Sequence, residues 1–474
     1  MAKKQKSSLE DKLLFQRKSS WEKWDEKKKK TCFNFAEGYK DFLSEFKTER
    51  EVVGEGVKMA EKAGFINVEK IKKNPPKKLE GTKVYMVNEE RNLALAILGK
   101  DIFDKGINFV VSHIDSPHLD LKVRPLYEDE SIAFLKTHYY GGIKKYHWPT
   151  IPLSLRGIII TKDGKKVSVN IGEKENDPVF MITDLLPHLG KTQMGKTLRE
   201  AIAGEELNIV VGSIPVKDKK IKEKVKISIL EYLNKEYGII EEDFFSAELQ
   251  AVPTGRARDL GFDRSFIAAY GQDDRVCAYT SLKAILESKS IDKTQVCLWV
   301  DKEEIGNDGI SSIQSICLEN FTAEVLELYK KDSSLKHVYK VFAKSEAISS
   351  DVTAGYDPDY KQVHDPLNAA RLGYGMALEK HTGSGGKYSS SEASAEFIYK
   401  LRKIFNKNKV DWQTAGLGKI DEGGGGTIAK HLANRSINVI DAGVALFNMH
   451  APMEISSKAD VYSAYESYKV FYRS

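Results

Sequence analysis

An α/β layered body interrupted by a β-rich insertion is the architecture this sequence predicts, on three observations. From about residue 260 onward, helical patterns alternate with strand patterns, as they do in a layered α/β domain. In the middle third, aliphatic stretches at 158–161 and 167–171 flank an Asp163-Gly164 turn, the strongest short-range signal for a β-hairpin. At 474 residues the chain is also too long for one ordinary core, so two domains or a large insertion follow from size.

Residues from about 8 to 64 read as helical, with Leu13, Leu14, Trp21, Trp24, Phe33, Phe35 and Phe42 spaced among many charges. Strands follow at 84–87, 93–98 and 107–112; the last two are unbroken apolar runs, suited to a sheet covered on both faces. After the hairpin, 217–237 is lysine-rich and helical in pattern, and a strand at 247–252 leads back to the main body. Helices at 276–286 and 313–329 then alternate with strands at 296–300 and 438–440. No internal repeat or Pro/Ser-rich linker separates these parts, so the units are expected to be closely apposed.

Lys+Arg 73 against Asp+Glu 68 leaves a net charge of only +5, too little over this length to make nucleic acid or anionic membrane the main partner. Lys3, Lys4 and Lys6, the run 27–30 and the run 217–226 read as tails, contacts or solvated helix faces. Cys32, Cys277, Cys297 and Cys317 have no Cys-x-x-Cys spacing, and three lie in apolar stretches, which suggests buried free thiols in a reducing compartment. The N-terminal stretch has no apolar signal core, and no run of ~18 uncharged apolar residues occurs. The expectation is a cytoplasmic protein.

Five sites carry groups fit for chemistry. Each sets a His or carboxylate at or just past a strand end, or in a loop beside Gly; in open α/β sheets, functional groups converge at the carboxyl ends of strands. The first is Val110-Val111-Ser112-His113-Ile114-Asp115-Ser116-Pro117. Positions i and i+2 of a strand face the same way, so Asp115 is expected to accept the second ring N–H of His113 and hold it as a metal ligand. The second, Gly271-Gln272-Asp273-Asp274-Arg275, precedes a helix, where adjacent carboxylates also suit capping and the helix dipole. The third, Val300-Asp301-Lys302-Glu303-Glu304-Ile305-Gly306, puts two glutamates after an apolar strand. Neighbours there point in different directions, so one can bind metal while the other stays free as a base. The fourth, Ser349-Ser350-Asp351-Val352-Thr353-Ala354-Gly355, and the fifth, Phe447-Asn448-Met449-His450-Ala451-Pro452, are unremarkable alone.

As an ordered set, His-x-Asp, Asp-Asp-Arg, Glu-Glu, Ser-x-Asp and a late His ahead of a final helix, the chain resembles the aspartyl aminopeptidase family of dizinc exopeptidases, which also includes the yeast vacuolar aminopeptidase. It looks like a bacterial-type member, with the similarity running from about Gly81 to the C-terminus and including 182–189. The resemblance implies that Asp273 bridges two zinc ions, with His113 and Asp351 completing one site and Glu304 and His450 the other. It further implies Glu303 as general base and Asp115 as the group that orients His113. The family also uses a His from a neighbouring subunit, for which His188 in Leu186-Pro187-His188-Leu189 is the candidate. Lys380, in Glu379-Lys380-His381-Thr382, matches the family's reader of acidic substrate side chains; a solvated lysine in a polar loop is the plain alternative. Animal members carry a His-containing stretch after Asp351 where this chain has Ala354-Gly355-Tyr356-Asp357-Pro358, so acidic or neutral N-terminal residues are expected rather than a strict acidic preference.

The resemblance also implies a catalytic domain with a central mixed sheet flanked by helices, 1–120 plus 255–474. An inserted β-rich oligomerisation domain, 121–254, would interrupt it in a homo-oligomer, commonly a dodecamer. The expected activity is metal-dependent removal of N-terminal residues from peptides through hydroxide generated at a dinuclear centre. Two divalent ions among three carboxylates and two neutral imidazoles keep a net positive charge, which polarises a carbonyl and brings the pKa of bound water towards ~7. A mixed nitrogen and oxygen shell suits zinc, with manganese or cobalt as alternatives. The competing class is a catalytically inactive scaffold or binding protein of the same fold, which the presence of all five candidate ligands and the base disfavours. Nucleic-acid binding has no aromatic-interleaved basic motif behind it. The run Asp421-Glu422-Gly423-Gly424-Gly425-Gly426-Thr427 lacks the Gly-Lys-Ser/Thr ending of a P-loop and reads as a close-approach backbone loop near substrate or a flexible turn.

Overall fold

The computed structural model describes residues 9–289 and 292–474, the Asp11 side chain aside. The lysines at 3, 4 and 6 lie outside the described residues. Four parallel strands form the middle of a nine-stranded sheet, in the order Thr294–Val300, Ile107–His113, Glu346–Ser349 and Asn438–Gly443. Asn92–Ile97 joins one side antiparallel and Met376–Glu379 the other, so the sheet is mixed, and Trp412–Ala415 forms its far edge. Every residue of Ile107–His113 and Thr294–Val300 is buried, as their unbroken apolar runs require. Alternate side chains feed two cores. Val110, Cys297, Trp299 and Ile348 pack with residues of the helices Glu26–Glu45, Gln272–Leu286 and Lys458–Tyr472, whereas Phe109, Val111, Leu298 and Ala347 pack with those of Cys317–Leu328 and Leu335–Phe342. All four cysteines are buried and free.

A separate seven-stranded antiparallel sheet is built from strands between His118 and Pro253, around its own core of Leu119, Trp148, Leu155, Ile209, Leu249 and Val252. The expected hairpin pairs Leu153–Ile160 with Lys166–Ile171, and Gly164 takes the left-handed φ of +82° that its turn needs. Ala247–Pro253 is the last strand of this unit before the chain returns to the main body, and it pairs with both Leu153–Ile160 and His118–Asp129 in the interior of the sheet. The helix expected over 217–237 spans only Lys224–Tyr237, because before Val225 the lysine-rich stretch has almost no apolar side chain to bury.

A third sheet, not anticipated from sequence, joins five short strands in the order Arg258–Leu260, Phe266–Ala269, Glu454–Ser457, Ala445–Phe447 and Thr353–Ala354. It lies beside the residues around 273, 351 and 450, and fastens three loops that leave the ends of distant elements. Among the described residues, no helix is long and apolar enough to cross a membrane.

Candidate metal centre

Three of the four central parallel strands deliver a candidate ligand or base at their carboxyl ends. His113 is the last residue of Ile107–His113, Glu303 and Glu304 form a single turn just past Thr294–Val300, and Asp351 follows Glu346–Ser349. His450 comes from the loop between Ala445–Phe447 and Glu454–Ser457, with a φ of +64°. Asp273 precedes the regular part of its helix; it and Asp274 have non-helical dihedrals and are joined by a cis peptide bond.

These residues converge into two triads that share one carboxylate. His113 Nε2 lies 3.2 Å from Asp273 Oδ1 and 3.6 Å from Asp351 Oδ1. On the other side, His450 Nε2 lies 3.1 Å from Asp273 Oδ2 and 3.4 Å from Glu304 Oε2. Potential ligand atoms of His113, Asp273 and Asp351, and of Asp273, Glu304 and His450, fall within 4.8 Å of one another. Tetrahedral zinc with ligands at roughly 2.0–2.2 Å spaces them about 3.3 Å apart, so both triads fit such an ion. The buried Asp273 Oδ1 and Glu304 Oε1 have no hydrogen-bond partner, which a cation would supply.

The electrostatics are also those of a cation site. Burial opposes charge on both imidazoles, yet the nearby carboxylates of Asp115, Asp273 and Asp351 raise His113 well above its ordinary range, and Asp273 and Glu304 push His450 up to about 11. Burial, followed by the charge of Asp273, raises Glu304 well above the usual carboxylate range. Glu303 rises to about 8, chiefly through burial, with Asp351, Asp115 and Asp273 as further causes.

The surrounding residues hold this arrangement. His113 Nδ1 lies 3.0 Å from the carbonyl oxygen of Asp115 and 3.4 Å from its Oδ1, so the backbone is the closer partner, because the strand ends at His113 and no longer enforces the i, i+2 alignment. The Asp115 carboxylate accepts the backbone N–H groups of Glu303 at 3.2 Å and Glu304 at 3.1 Å, and the Tyr140 hydroxyl at 2.7 Å. His450 Nδ1 lies 2.9 Å from the Gly142 carbonyl. The buried Glu454 accepts the N–H groups of Gln272 at 2.5 Å, Asp273 at 3.2 Å and His450 at 2.9 Å, tying the two ligand loops together. Sequence reasoning missed Tyr140, Gly142 and Glu454. The only local signal was a Glu four residues after His450.

His188 and Lys380 stand apart from the triads. His188 is exposed on a turn of the β-rich unit. Lys380 follows Met376–Glu379, is 55% exposed and lies 3.6 Å from Glu392. It lines a cavity of about 1720 Å³ with His381, Arg402 and Trp412, which includes none of the clustered histidines or carboxylates. The glycine run makes a close backbone approach to the loop after Lys380: Gly383 N–H donates to Gly425 at 2.7 Å, and a Cβ on Gly424 would meet the Gly383 carbonyl at 2.1 Å.

Comparison with known proteins decides the family. The profile described as aminopeptidase I zinc metalloprotease (M18) matches residues 42–472. The chain belongs to the M18 family of aminopeptidases. It is 50% identical over 459 residues to a probable M18 family aminopeptidase 1 of Clostridium acetobutylicum, covering 97% of this chain and 98% of that protein. The M18 aminopeptidase structure from Thermotoga maritima superposes with a TM-score of 0.92 at 44% identity, covering 97% of this chain and 99% of the other. Aminopeptidase I from Clostridium acetobutylicum gives 0.90 at 48% identity, covering 98% and 100%. Yeast aminopeptidase 1, solved as a dodecamer, shares the fold at 21% identity with a TM-score of 0.73, covering 93% and 96%. As an M18 member this chain is a zinc metalloprotease of the aminopeptidase class, a hydrolase acting on peptides.

Proposed function

We propose that the chain removes single residues from peptide N-termini with two zinc ions per subunit. His113, Asp351 and Asp273 Oδ1 would hold one, and His450, Glu304 and Asp273 Oδ2 the other. Manganese or cobalt would also suit this donor set. The observation that carries the reading is the Asp273 carboxylate, whose two oxygens each lie within about 3.2 Å of a different histidine. When bound, two divalent ions supply Lewis-acid charge that polarises a peptide carbonyl and acidifies water.

The protein's own groups do the rest. Glu303, beside the His113 triad, accepts a proton from the attacking water on its carboxylate and passes it to the departing amine. Asp115 holds the Glu303-Glu304 turn through two backbone hydrogen bonds and steadies His113 through its carbonyl and carboxylate. Lys380, in the cavity beside the sheet, is the candidate contact for an acidic N-terminal side chain, in competition with Glu392. Acidic or neutral N-terminal residues are therefore the proposed substrates, and a panel of aminoacyl chromogenic substrates tests this directly.

Residues 121–254 form the proposed oligomerisation domain, with 1–120 plus 255–474 as the catalytic one. Exposed Leu185, Leu186, Leu189, Met194 and Leu198 on the former support this division, since an apolar face of this kind fits a subunit contact. His188 lies among them, which suits a role at a neighbouring subunit's site. A dodecamer is the proposed assembly, by analogy with the yeast relative. Metal analysis tests the centre: two zinc ions per chain are expected at saturation. Fewer than two per chain would sink the two-metal reading.

A further inference from the structure

Three consecutive residues of the β-rich unit touch both halves of the metal centre. Tyr140 ends the strand Ile132–Tyr140, and its hydroxyl donates to Asp115 Oδ2 at 2.7 Å. Two residues later the Gly142 carbonyl lies 2.9 Å from His450 Nδ1. The intervening Gly141 has a φ of +77°, and a Cβ there would crowd Pro117 at 3.3 Å and Glu304 at 3.4 Å. A glycine therefore lets the chain turn closely enough to present both groups. Tyr140 is itself held rigidly: its ring stacks on His118 with centroids 4.4 Å apart, and Lys302 Nζ lies 5.1 Å from the ring centroid.

These contacts reach both halves of the site. Asp115, which receives the Tyr140 hydroxyl, borders His113 and holds the turn bearing Glu303 and Glu304. The Gly142 carbonyl accepts from His450 Nδ1–H, which turns the ring so that Nε2 faces Asp273 and Glu304. On the two-metal reading above, we propose that Tyr140 and Gly142 are positioning residues, through which the β-rich sheet sets how tightly each ion is held. Tyr140 acts through Asp115 on His113 and on the turn that carries Glu304, and Gly142 acts on His450. The sheet would thus be part of the metal centre's supporting structure as well as a separate folding unit.

Zinc competition against a chromogenic chelator, with the visible spectrum of the cobalt-loaded protein as a second readout, tests this on the full chain. Tyr140→Phe keeps the ring and removes only the hydroxyl. It is expected to release the His113-side ion about 10–100-fold more readily and to alter that site's cobalt absorption, with a smaller loosening of the His450-side ion through the turn that carries Glu304. Gly141→Ala displaces the turn and is expected to weaken the His450 side as well. Tyr139→Phe, at the exposed neighbouring residue, serves as the matched control and should leave both sites unchanged. Melting of each metal-free variant checks that it folds. Two ions in wild type with an unchanged Tyr140→Phe overturn the role of Tyr140, and an unchanged His450 side in folded Gly141→Ala overturns that of Gly142. Fewer than two ions in wild type would overturn the two-metal reading and this inference with it.

Discussion

The two histidines of the centre sit in unlike surroundings. His113 ends an interior strand of the nine-stranded sheet and its side chain is 1% exposed, whereas His450 comes off a loop and is 33% exposed. The first is placed by a strand packed on both faces. The second depends on point contacts, from Glu454 to its N–H and from Gly142 to its ring. One half of the centre is therefore fixed by the fold itself, and the other is held by a few hydrogen bonds and should be the easier to perturb.

The largest effect should remove the comparison altogether. Asp273→Asn takes the shared carboxylate from both triads, and metal analysis should find both ions lost with activity at background. Glu303→Gln should keep both ions and lower kcat by about 10²–10⁴-fold; full activity with both metals bound would make the assigned base wrong. Glu454→Gln replaces one acceptor oxygen with a donor and should loosen the His450-side ion by about 10–100-fold, with a smaller effect on the His113 side through Asp273, in chelator titrations. Stepwise chelation of the wild type should pause near one ion per chain, and the retained ion should survive His450→Ala but not His113→Ala. The smallest effect is that of Lys380→Ala, a few-fold rise in KM confined to acidic N-terminal residues, in line with one exposed charge contact.

The interior strands were legible because strands buried on both faces read as unbroken apolar runs, and the candidate ligands stand out at their ends. The hairpin at Asp163-Gly164 announced itself through its turn residues. Less was legible where meaning depends on distant partners. Tyr140 is one of 21 tyrosines and differs from the others only by meeting Asp115 and His118 in space. Glu454 looks like any surface acid until its carboxylate is seen to collect three backbone N–H groups. The five-stranded sheet escaped notice because its strands run only two to four residues, too short for a period to show. The pattern at His113 and Asp115 was legible, but its detail was not: the strand stops between the two, and the carbonyl becomes the nearer partner.

That small sheet bears on how the enzyme is made. Its strand Glu454–Ser457 pairs with Phe266–Ala269 and with Ala445–Phe447, and the latter pairs with Thr353–Ala354, so the loops around 273, 351 and 450 are clasped by backbone from near the end of the chain. A polypeptide still emerging from the ribosome has His113, Asp273, Glu304 and Asp351 long before the segment that draws them together. His450 and the strand that clasps its loop are therefore the last parts of the candidate centre to be synthesised.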